Sequence, residues 1–197
     1  MGKEKIYFLS FIFFLSGMSA IIYQIAWQKL LLQNQGSDTE SVTIIVSTFM
    51  AGLGFGALMG GFITNKFKNL IFFFCIFEFL IGAFGLISFD LFLFLSNQFV
   101  SVDYLFLIFI NFLFFFIPTL LMGATLPILT VFILRKIKNV GDAIGLLYKS
   151  NTLGSALSAI LTGFILFIFL DLKQSIILAS CLNIFISFII YKKFVKV

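Results

Sequence analysis

Six apolar stretches, each about as long as a bilayer is thick, follow one another along this chain with only short polar breaks between them. They run Ile6–Leu32, Ser41–Thr64, Leu70–Leu95, Tyr104–Leu134, Ala143–Leu170 and Gln174–Tyr191, the last being the shortest. A helix of roughly 20 residues crosses a hydrocarbon core of ~30 Å. Backbone groups in lipid must satisfy one another, and no alternating strand pattern is present. The expected fold is therefore all-α and polytopic, a single domain of six transmembrane helices over residues 1–197. Lys3 and Lys5 ahead of the first stretch, with Ser19-Ala20 inside it, resemble a signal peptide. The apolar run continues past them through Ile21, Ile25 and Trp27, so it reads as a span.

Composition agrees: 61% of residues are hydrophobic and 11% charged, against about 45–50% and about 25% in soluble domains. A soluble enzyme domain of ordinary size is excluded. The net charge of +5 does not imply nucleic acid, because the cations sit in the polar breaks. One side collects Lys3, Lys5, Lys66, Lys68, Arg135, Lys136, Lys138, Lys192, Lys193 and Lys196; the other has Lys29 and Lys173. By the positive-inside rule both termini face the cytoplasm of a cell inner, or plasma, membrane. Histidine is absent, which removes the commonest metal ligand and proton shuttle. Cys75 and Cys181 lie inside apolar runs with no metal or disulfide spacing. No metal and no cofactor is implied.

An offset of 102 residues lays Gly154, Ser158 and Gly163-Phe164-Ile165 of the fifth span on Gly52, Gly56 and Gly61-Phe62-Ile63 of the second. Four residues out of that register, Ser16-Gly17-Met18-Ser19 of the first span matches Met122-Gly123-Ala124-Thr125 of the fourth. Three spans per unit would make the units a 3+3 inverted repeat, like half of a major facilitator; chance likeness between glycine-rich helices is the competing reading. Gly52, Gly56 and Gly60 stack on one helical face as a packing stripe. On the fifth span Ser155, Ala159 and Gly163, beside Gly154, are expected to do the same.

Polar groups at membrane depth are the candidate site. Glu78 lies about 12 Å into the third span at ~1.5 Å per residue, and Lys149 about 9 Å into the fifth. An intramembrane ionisable residue is a site hypothesis by default. Two readings stand: an ion pair within the bundle, or a Lys149 that snorkels and a Glu78 that is protonated or bonded to a helix. Asn151, Ser155, Ser158 and Thr162 form a stripe that faces protein or water rather than lipid. Asn111, Pro118 and Thr125 recur every seven residues in the fourth span. Pro118 and Pro127 each remove a backbone donor and are expected to kink it. Tyr23, Gln24, Trp27, Gln28 and Lys29 read as an interfacial rim.

Several strings form a familiar set. They are Ser16–Leu30 (SGMSAIIYQIAWQKL), Gly36-Ser37 before Phe49–Gly56 (FMAGLGFG), Pro118–Pro127 (PTLLMGATLP) and Leu147–Gly154 (LYKSNTLG). Taken in order, they resemble the membrane domain of spermidine synthase-like proteins, in which a major-facilitator-like segment is fused to an aminopropyltransferase. Lys29 stands where relatives commonly carry Arg, and Gln24 where many carry Glu. Gly61–Lys66 is similar to a major-facilitator loop, with Asn65 in place of the usual Asp. The resemblance implies a cytoplasmic catalytic domain after the last span, yet residues 192–197 hold no strand, glycine loop or carboxylate cluster. The expectation is a non-catalytic membrane module that anchors or assists a separate soluble aminopropyltransferase-like partner. The other expectation is a small transporter, acting as a homodimer, that moves a polar or cationic solute of polyamine or amino-acid type past Gln24, Glu78, Lys149, Asn151 and Thr152. A membrane enzyme is disfavoured for want of a nucleophile-base pair.

Overall fold

The computed structural model describes residues 3–35, 37–99, 103–135 and 139–195. Gly36, Lys136, Lys138 and Lys196, used above for motif and orientation, lie outside the described residues. Six long helices make the bundle: α1 Lys3–Gln35, α2 Asp38–Lys66, α3 Leu70–Gln98, α4 Tyr104–Leu134, α5 Val140–Leu161 and α6 Leu172–Ile190. A π-helical stretch, Thr162–Leu166, and a short turn, Phe167–Phe169, extend α5; a second π-helical stretch, Tyr191–Val195, extends α6. All six are long and apolar enough to cross a membrane, and no strand occurs among the described residues. The chain is a multi-pass membrane protein.

Polar residues at the breaks start the helices. Ser37, Asp103 and Asn139 accept bonds from backbone N–H groups in the first turns of α2, α4 and α5. Asp171 and Gln174 form a reciprocal capping box on α6. The sixth span continues to Val195, beyond the Tyr191 expected from hydropathy. Lys192 and Lys193 reach back over the Phe188 and Phe8 rings, so their stems stay on apolar surface while the charges leave it. Pro118 and Pro127 lie within one continuous α4.

Three helix pairs hold the bundle: α2 on α4, α1 on α5 and α3 on α6, with α3 also against α4 and α1 against α6. Exchanging α1 with α4, α2 with α5 and α3 with α6 returns the same set of neighbours, the pattern that two equivalent three-helix units would give. The glycines explain the closest approaches. A Cβ on Gly60 would lie 2.6 Å from the Ala124 carbonyl oxygen, and one on Gly123 2.5 Å from that of Leu53. Gly56 faces the Leu120 carbonyl, and Gly17 and Gly154 bring α1 and α5 together in the same manner. Gly163 meets nothing within 4 Å and is exposed, as is Ala159. The packing face of α5 is therefore Gly154, Ser158 and Thr162, one residue round from the expected stripe. Ser158 carries a hydroxyl that lipid cannot bond and that donates to the Met18 carbonyl, whereas Ala159 and Gly163 tolerate lipid.

Gly56→Leu should thus destabilise the bundle, by about 1–3 kcal/mol or more since backbone must move. Gly163→Leu should change thermal stability by less than about 0.5 kcal/mol. Denaturant titration of the purified variants measures both.

Candidate functional site

The half of the bundle remote from the termini is filled with aromatic rings. Tyr23 and Trp27 are fully buried, stacked with centroids 4.7 Å apart, and Trp27 also meets Phe115, Phe84 and Phe49. The interfacial rim expected at these two residues does not exist. Their polar tips have found partners inside, which is what allows such rings to be buried. Trp27 Nε1 donates to Ser88 Oγ at 3.1 Å and Tyr23 Oη to Ser180 Oγ at 3.0 Å. Gln24 beside them is half-buried and Lys29 exposed, its Nζ 4.2 Å from the centre of the Phe167 ring.

Toward the middle of the bundle the packing opens into a cavity of about 220 Å³. Its polar lining comes from Ser16 and Ser19 of α1, Thr125 of α4, Tyr148 and Asn151 of α5 and Asn183 of α6, and Leu53 and Ala57 of α2 close one side. Local helix chemistry quiets several of these groups. Ser19 Oγ donates to the Ser16 carbonyl and Thr125 Oγ1 to the Met122 carbonyl. Asn151 Nδ2 donates to the Phe13 carbonyl at 3.2 Å, and Ser155 and Ser158 donate to the Gly17 and Met18 carbonyls. The stripe on α5 faces protein, as its residue types require.

Glu78 stands one side chain behind the cavity wall and is fully buried. Ser16 Oγ donates to its Oε1 at 2.7 Å and Asn183 Nδ2 to its Oε2 at 2.6 Å. Those two donors also line the cavity, so the carboxylate and the cavity form one site. Among the described residues the ion pair is Lys173–Asp90, at 2.7 Å and exposed; Glu78 has no cationic partner. Lys149 is exposed and lines a separate groove with Tyr7 and Asp142, so the pairing with Glu78 considered from the sequence is not made. Thr152 is exposed and, like Gln24, is not in the lining.

Of the sequence candidates, the site thus joins Glu78 and Asn151 and leaves out Gln24, Lys149 and Thr152. Sequence reasoning missed Asn183 and the roles of Ser16 and Thr125. Asn183 was findable as the one amide side chain deep in the sixth span, at a depth comparable with Glu78. Among the described residues no group of three or more His, Cys, Asp or Glu side chains is placed to hold a metal.

No protein-family model, no curated protein and no solved structure matches this chain.

Proposed function

We propose that this protein is a transport module that carries a small polar or cationic solute, of polyamine or amino-acid type, through the centre of its bundle. The observation that carries the reading is a cavity lined in part by Ser16, Ser19, Thr125, Asn151 and Asn183 and backed by a buried carboxyl group, within helices whose outer faces are apolar. Intramembrane ionisable groups mark solute pathways, and the exchangeable helix pairs fit an alternating-access fold. The cavity is bordered by exposed residues of α2 and α5, Leu53, Ala57 and Tyr148, so a second copy set there would close it. The chain sits in the plasma membrane with both termini cytoplasmic. Uptake of labelled polyamines and amino acids into reconstituted vesicles tests the reading. At least one solute should enter, and Glu78→Gln should lower its rate tenfold or more. No uptake of any solute, or an unchanged rate in the variant, would contradict it.

A second reading rests on the basic end. Lys5, Lys66, Lys68, Arg135, Lys192 and Lys193 gather where the chain begins and ends, and Arg135 Nη1 donates to the Lys68 carbonyl at 2.6 Å, tying two of the loops together. Such a platform suits the anchoring of a soluble aminopropyltransferase-like partner, as the resemblance to spermidine synthase-like membrane domains implies. Co-purification of such a partner from native membranes supports this reading, and its repeated absence opposes it.

A further inference from the structure

The Glu78 carboxylate is fully buried and pairs with none of the described Lys or Arg side chains. Its bonded neighbours, Ser16 and Asn183, are neutral. Dipoles of this kind orient a carboxylate but supply no opposite charge, and a buried unpaired charge is costly. A second vacancy adjoins it. Asn183 is 1% exposed, and its Oδ1 has no hydrogen-bond partner. With Glu78 ionised, turning the amide over does not help, because Oδ1 would then face the carboxylate, acceptor against acceptor. The site therefore holds one carboxyl group without a counter-charge and one idle acceptor beside a cavity with further oxygens at Ser19, Thr125 and Asn151.

We propose that this pocket binds a small monovalent cation, with Glu78 as its counter-charge and Asn183, whose Oδ1 is buried behind the cavity wall, turning to supply a ligand. One carboxylate suits a single positive charge, whereas dedicated divalent sites gather several. At ~30 Å³ per water the cavity holds about seven water volumes. That is room for an alkali ion with part of its hydration, or for a small ammonium group donating N–H bonds. The inference deepens the transport reading and rests on the same cavity.

The test is thermal unfolding of the full chain in nanodiscs, titrated separately with sodium, potassium and methylammonium chloride. Ionic strength is held constant with N-methylglucamine. At a hundred times Kd a ligand specific to the folded state raises the midpoint by about 5–10 °C. A saturable rise with at least one of the three is expected, lost in Glu78→Gln and retained in Lys149→Gln. If Glu78→Gln does not fold, Ser16→Ala should raise the half-saturating concentration at least tenfold. Response to an alkali ion alone identifies a metal-ion site, and response to methylammonium identifies an ammonium site. Flat curves for all three, or an equal response in the Glu78 or Ser16 variant, overturn the proposal. Uptake with flat curves would sink the cation site and leave transport standing, while saturable curves without uptake would do the reverse.

Discussion

Trp27→Ala should cost about 3–5 kcal/mol of bundle stability, the range for removing a large aromatic from a packed interior. The ring is fully buried and lies against Tyr23, Phe115, Phe84 and Phe49, which come from four different helices. Neither lipid nor a rotamer change of one neighbour would fill that space. Trp27→Phe keeps most of the packing and loses the Nε1 bond to Ser88. Ser88 Oγ still donates to the Gly85 carbonyl, so this variant should cost only about 1–2 kcal/mol. Unfolding in a mixed-detergent titration separates the two values. Near-equal costs would mean that the hydrogen bond, rather than the packed ring, holds this half of the bundle.

Asn183→Leu carries the second large effect. Leucine is similar in size to Asn but cannot donate to Glu78 Oε2, so the carboxylate loses one of its two bonds at full burial. Removing a hydrogen bond from a buried carboxylate costs about 1.5–3 kcal/mol. Adding Glu78→Leu should recover much of that loss, because an apolar pair leaves no charge to satisfy. A double-mutant cycle reads the coupling directly. An Asn183→Leu cost unchanged by the second substitution would show that the two residues act independently.

Hydropathy made the spans legible because bilayer thickness fixes helix length and the polar breaks carry capping residues. Gly52 and Gly154, aligned by the 102-residue offset, both sit against a neighbouring helix, Gly52 on Thr119 and Gly154 on the Phe14 backbone. What the sequence misplaced was the face of α5. Gly154, Ser158, Thr162 and Ser155, Ala159, Gly163 are adjacent stripes of small residues, and size alone does not choose between them. The close approach does, since Gly154 packs on the Phe14 backbone while Ala159 and Gly163 are exposed. Trp27 was misread for a related reason. Its position near a span end suits an interface, and only the distant Ser88, which accepts its N–H, makes burial favourable. The Glu78 site gathers α1, α3 and α6 from positions far apart in the chain, so its depth was readable while its partners were not.

Access of water to the central cavity is the most direct test of its role. In a chain with Cys75 and Cys181 replaced by Ala, Ala20→Cys places a thiol on the cavity wall, and Ile45→Cys places one in the closed aromatic half. A membrane-impermeant cationic thiol reagent applied to the protein in native-like membranes should label Cys at position 20 and spare Cys at position 45. Labelling of neither until the protein is unfolded would show a dry, sealed bundle and would contradict a solute pathway past Glu78.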